Sequence, residues 1–79
     1  MESLSVFPNP TNGEISFSLD KYQGKTLSIN VYSIDGKLMM NKHTVGEAVN
    51  RINCESLLNG LYVLQVRDDV VFGRFMVQK

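Results

Sequence analysis

The sequence predicts an all-β fold: an immunoglobulin-like antiparallel β-sandwich of about seven short strands. Polar and apolar residues alternate without a break in Glu14-Ile15-Ser16-Phe17-Ser18-Leu19 and again in Leu27-Ser28-Ile29-Asn30-Val31, the period-two signature of a half-buried strand. Turn signals recur at roughly 8 to 12 residue spacing, as they do in sandwiches. No long helix and no parallel crossover can be drawn. With one Cys and no Trp, the Cys, Trp, Cys spacing of antibody domains is missing, so the prediction concerns architecture alone.

In chain order, a short strand is read at Leu4 to Phe7. Pro8-Asn9-Pro10 ends it, because both prolines lack an N–H and Pro10 pushes Asn9 away from the helical region. Glu14 to Leu19 is the second strand, followed by the polar connection Asp20 to Lys25. Leu27 to Val31 is the third, with Tyr32 on the opposite face, and Asp35-Gly36 in Ser33-Ile34-Asp35-Gly36 supplies a tight hairpin turn into Lys37 to Lys42. Val45 to Glu47 reads as a loop and Ala48 to Ile52 as a short strand. Asn53 to Leu58 then reads as one helical turn capped by Asn53 and ended by Gly60. Tyr62, Leu64 and Val66 share one face of the next strand and Gln65 and Arg67 the other; Asp68-Asp69 turns the chain into a last strand, Val70 to Lys79. There Val71, Phe75 and Val77 oppose Arg74 and Gln78, while Phe72 fits poorly and is read as exposed or as a bulge.

A chain of 79 residues allows one domain, spanning residues 1–79 with 1–3 as linker, and buries roughly 60% of the surface its unfolded form exposes. Its 43% hydrophobic and 20% charged residues are those of a folded domain. Eight basic and eight acidic residues cancel, so no field favours nucleic acid. The longest apolar runs, Leu61 to Leu64 and Val70 to Phe72, fall far short of the ~20 residues of a spanning helix, and Met1-Glu2-Ser3 does not open a signal peptide. Cys54 and His43, each the only residue of its type, support neither a zinc site nor a nucleophile and base pair; Cys54 is read as buried and inert, and no cofactor is expected. The acids Asp35, Asp68 and Asp69 are explained by turn chemistry, and two adjacent carboxylates fall short of the oxygens calcium requires. An enzyme is not expected.

Two segments exceed ordinary punctuation. The stiff Pro8-Asn9-Pro10 lies early in the chain, and Gly60-Leu61-Tyr62 puts a flexible residue before a large aromatic whose hydroxyl needs a partner. The apparent sequon Asn9-Pro10-Thr11 is disqualified by its proline. Strands dense to the last residue, where most domains fray, suggest a terminus that something else recognises.

In order and spacing these residues resemble the C-terminal sorting domain of the type IX secretion system, found in cargo proteins of Bacteroidetes. The opening, an aliphatic and aromatic pair before Pro-Asn-Pro and a following Asn-Gly, matches Val6-Phe7-Pro8-Asn9-Pro10-Thr11-Asn12-Gly13; the aliphatic-Tyr strand ending in Gly-Lys matches Ile29 to Lys37, with Gly36 in the turn. Ile-Asp, a leucine and Gly-x-Tyr correspond to Ile52-Asn53, Leu57 and Gly60-Leu61-Tyr62, and the ending to Arg74-Phe75-Met76-Val77-Gln78-Lys79. Asn53, Cys54 and Arg74 depart from the usual Asp, aliphatic and Lys.

The resemblance implies the tail of a larger secreted protein. It would be recognised by the translocon and sortase components, pass through the periplasm to the cell surface or medium, and be removed after export, with the cargo anchored or released. Pro8, Asn9, Pro10, Gly13, Gly36, Gly60, Tyr62, Arg74, Val77 and Lys79 are the expected motif residues. The last strand is expected to offer an edge or free end to the translocon by strand addition, and that edge with zero net charge implies weak dimerisation or strand swapping. The other reading is an accessory sandwich that binds carbohydrate or packs on a catalytic domain, for which Tyr22 is the one obvious loop aromatic.

Overall fold

A computed structural model of the chain describes residues 2–18, 23–66 and 71–79. Among them are eight strands and no helix: β1 (Glu2–Ser3), β2 (Val6–Phe7), β3 (Glu14–Phe17), β4 (Thr26–Ser33), β5 (Leu38–Val45), β6 (Asn50–Asn53), β7 (Gly60–Val66) and β8 (Val71–Val77). One sheet has the order β1-β8-β7-β4-β5 and the other β2-β3-β6. All named pairs are antiparallel except β1 with β8. The two sheets enclose one core, to which Val6, Ile15, Phe17 and Ile52 come from the smaller sheet and Leu27, Ile29, Val31, Leu64, Val66, Val71, Phe75 and Val77 from the larger.

The alternation read from the sequence sets this arrangement, since successive side chains of a strand point to opposite faces. Leu27, Ile29 and Val31 of β4 and Val71, Phe75 and Val77 of β8 are buried, while Arg74 and Met76 are exposed. Phe17 and Phe75 are the largest fully buried side chains, and truncating either to Ala would cost about 3–5 kcal/mol.

Several elements differ from the sequence reading. The expected strand at Leu4 to Phe7 is split between sheets: Glu2 and Ser3, read as linker, pair with Val71 and Phe72, and Val6 and Phe7 pair with Phe17 and Ser16. The helical turn at Asn53 to Leu58 is instead a β-turn, in which Leu57 N–H donates to Cys54 C=O at 3.0 Å. Asn53 Oδ1 accepts from Glu55 N–H at 2.8 Å, an Asx turn that competes with helix formation. β5 extends to Val45 and β6 starts at Asn50, not Ala48. Phe72 makes no bulge, for β7 and β8 stay in register from Gly60↔Val77 to Val66↔Val71; it lies half-buried on the outer face. Leu19, the Asp20 to Tyr22 part of the connection, Arg67, the Asp68-Asp69 turn and Val70 lie outside the described residues.

The Asp35-Gly36 hairpin forms with a shifted frame. Gly36 N–H donates to Ser33 C=O at 2.9 Å, so Ile34 and Asp35 are the central residues and Gly36, at φ 92°, follows them. Ser33 Oγ donates to Asp35 Oδ1, and this bond, first among the causes, holds the Asp35 carboxyl below its usual range. The register shift at Val31/Tyr32 leaves Met39 as the extra residue of β5.

Candidate functional site

The two ends of the chain meet along β8. One side of β8 is paired with β7 throughout. On its other side Leu4 N–H donates to Phe72 C=O at 2.8 Å, Thr11 N–H to Met76 C=O at 2.8 Å, and Gln78 N–H to Thr11 C=O at 2.8 Å. The gap between Leu4 and Thr11 is filled by a side chain. Asn9 Nδ2 donates to Arg74 C=O at 3.2 Å, and Asn9 Oδ1 accepts from Met76 N–H at 2.9 Å. A primary amide carries a donor and an acceptor side by side, as a strand's peptide group does. Asn9 therefore bonds β8 where prolines on either side cannot donate.

This geometry overturns the expectation that β8 presents an edge or a free end. Both sides are occupied, and the terminus is tied down: Lys79 N–H donates to Asn59 Oδ1 at 3.0 Å and Lys79 Nζ to Glu55 C=O at 2.6 Å. Lys79 caps the turn that precedes β7.

The same turn is held from inside by Tyr62. Its ring is stacked on Phe75, with centroids 5.7 Å apart at 25°, and its hydroxyl donates to Leu58 C=O at 2.7 Å. Gly60 opens β7 opposite Val77. A Cβ on Gly13 would lie 3.3 Å from Glu55 Cγ, and Gly13 C=O accepts from Cys54 N–H at 2.6 Å. Thr11, 2% exposed, clips this corner by donating from Oγ1 to Glu14 C=O at 2.7 Å and accepting from Gly13 N–H at 3.2 Å.

Pro8, Asn9, Pro10, Arg74 and Val77 thus lie along β8, and Gly13, Gly60, Tyr62 and Lys79 around the turn beside its end. Gly36 sits at the tip of the β4–β5 hairpin, where an added Cβ would meet nothing within 4 Å. Sequence reading missed Gly73, Thr11 and Gln65. A Cβ on Gly73 would stand 2.8 Å from Val6 Cγ2 and 2.9 Å from Leu4 C=O, so glycine lets the chain cross from β1 to β2 directly over β8. Gln65 is buried on the outer face because Asn30 Nδ2 and Tyr32 Oη both donate to its Oε1, at 3.1 and 3.2 Å. The signal available for Gly73 was a small residue at an inward position, between Val71 and Phe75.

Asp35 is exposed at a hairpin tip, His43 is exposed on β5, and Asp68-Asp69 lie outside the described residues. Cys54 is buried, and burial pushes its thiol up to about 11. Tyr22, on which the carbohydrate-binding reading leaned, lies outside the described residues, and Tyr32 is committed to Gln65. Among the described residues no helix is long and apolar enough to cross a membrane.

No curated protein and no solved structure matches the chain. The family model for the secretion system C-terminal sorting domain matches residues 5–77, a span that takes in the Asn9 clasp, the Thr11 corner, the Tyr62 turn and β8. The family is one of sorting signals and is not catalytic, and the accessory-module reading is not favoured. The chain belongs to the secretion system C-terminal sorting domain family, the C-terminal secretion signals of the type IX system.

Proposed function

We propose that the type IX translocon reads this domain as a folded address rather than as a linear tag. Cargo joined on its N-terminal side travels through the periplasm, crosses the outer membrane under the direction of this domain, and is then anchored or released when a sortase removes the domain. The observation that carries the reading is the Asn9 clasp. Asn9 binds backbone groups 65 and 67 residues away, so the motif residues of both ends come together only on folding. Arg74 and Lys79, exposed beside that clasp and at the tethered terminus, are the charged groups such a reader would meet. The domain itself performs no catalysis on this reading.

The immunoglobulin-like architecture is supported by strand order. β8-β7-β4 and β2-β3-β6 follow the G-F-C and A-B-E orders of that fold, with β5 as the added C′ strand. The bond from Tyr62, at the start of β7, to the carbonyl four residues upstream supports the same reading, since a tyrosine corner of that fold makes a bond of this kind.

The test is a periplasm-targeted fluorescent reporter fused ahead of residues 4–79 in a bacterium carrying the system. A companion fusion lacks Gln78 and Lys79, which follow β8 and leave its core residues in place. Surface or medium fluorescence for the intact fusion and periplasmic retention of the shortened one is expected. Retention of the intact fusion, with its domain folded, would refute the reading.

A further inference from the structure

We propose that β5 is an acceptor edge for an extended, acid-bearing strand supplied by a partner protein. Among the described residues β5 pairs with β4 alone. The other outer strands, β1, β2 and β6, have two, two and four residues, whereas β5 has eight. In an antiparallel pair the backbone groups of successive residues point to opposite edges. Gly46 bonds towards β4, its N–H donating to Lys25 C=O at 2.8 Å and its C=O accepting from Gly24 N–H at 2.9 Å. Asn41, His43 and Val45 therefore turn their N–H and C=O groups to the free edge, in regular register with β4. Natural edges are blunted by shortness, proline, bulges or charge; this stretch carries one lysine, Lys42.

The groove beside the edge indicates the chemistry of the added strand. The smaller sheet does not reach β5, and between them lies a groove of about 220 Å³ lined by Lys42, Thr44, Val45, Val49 and Arg51, among others. Lys42 faces into it, being opposite inward-facing Ile29. Glu47 is the sole acid of that lining. Among the described residues neither Lys42 nor Arg51 is in an ion pair. A second copy suits this edge poorly. Antiparallel pairing about a two-fold axis keeps inward residues on one side, so the two Lys42 side chains would sit directly or diagonally opposite, and opposed like charges destabilise a sheet. An incoming strand with inward acids would meet Lys42 and Arg51, and its apolar residues, on the opposite face by strand alternation, would lie beside Val45 on the outer face of β5. This inference rests on the sorting reading for the source of the strand, the export machinery.

The ¹⁵N-labelled chain would be titrated with the peptide Thr-Val-Glu-Val-Glu-Val-Thr and with its Lys-for-Glu counterpart. Shifts concentrated at the Asn41, His43 and Val45 amides, and binding about tenfold weaker for the lysine peptide, are expected. Lys42→Glu is expected to reduce or invert that preference. His43→Pro is expected to abolish binding while leaving the β4 ladder intact, since its N–H faces outward. Equal affinity for both peptides, shifts confined to other strands, or a concentration-dependent dimer in place of peptide binding would overturn the proposal. Reporter fusions separate it from the sorting reading. Export of the parent and retention of a folded His43→Pro variant supports the proposal. Export of both overturns the proposal and leaves the sorting reading standing. Retention of both, folded, overturns the sorting reading, and with it the assignment of the strand to the export machinery.

Discussion

Replacing Asn9 by Ala isolates the side-chain clasp, because Pro8 and Pro10 stay in place and keep the backbone kink. Two hydrogen bonds to β8 are lost, at 3.2 Å to Arg74 C=O and 2.9 Å from Met76 N–H. Each is worth about 0.5–1.5 kcal/mol net, and Asn9 is exposed, so water replaces part of the loss and the expected total is about 1–2 kcal/mol. For a domain of this size each kcal/mol lowers Tm by about 4–8 °C. Asn9→Asp is expected to be worse than Ala at pH 7: it keeps an acceptor for Met76 N–H but turns a carboxylate oxygen towards the Arg74 carbonyl. Thermal unfolding followed by circular dichroism gives the stability, and amide hydrogen exchange at Met76 gives the site. Tm values for both variants within the scatter of ordinary surface substitutions, about 0.5 kcal/mol, with Met76 protection unchanged, would refute the clasp.

Gly73→Ala is expected to destabilise by about 1–3 kcal/mol in chemical denaturation, since its Cβ would meet Val6 and the Leu4 carbonyl at under 3 Å; a neutral result would mean that the β1–β2 crossing moves freely. Gly36→Ala meets no atom within 4 Å but holds φ at +92°, so it tests backbone conformation alone and should cost about 1 kcal/mol. Cys54 should resist thiol reagents in the native state at pH 8. Its thiol is pushed up to about 11 from 9.0, so above pH ~9 the unfolded chain holds fewer protons than the folded one. Stability should therefore fall between about pH 9 and 11, by more than in Cys54→Ala; parallel pH profiles would contradict this.

What the sequence alone reveals is whatever local periodicity encodes. Alternation in 14–17, 27–31 and 62–66 placed Ile15, Phe17, Leu27, Ile29, Val31, Tyr62, Leu64 and Val66 in the core, where they lie. The chain's opening and ending were also legible as motifs. Their roles were not: Asn9 bonds a strand 65 residues away, and no window of sequence contains that contact. The helical turn at 53–58 failed because Asn53 serves an Asx turn as readily as a helix cap, and only the contact of Cys54 N–H with Gly13 chooses between them.

The sequence by itself determined the all-β class, the inward faces of the strands and membership of a sorting-signal family, because alternation and motif order are properties of the chain. Tertiary structure alone decided which edges are open. β8, expected from its ordered end to offer an edge or a free end, is enclosed by β7 and by the Leu4 to Thr11 segment, while β5, from mid-chain, is left outermost among the described residues. Sheet order is set by which strands bury their apolar faces together across long separations, and that competition has no local trace.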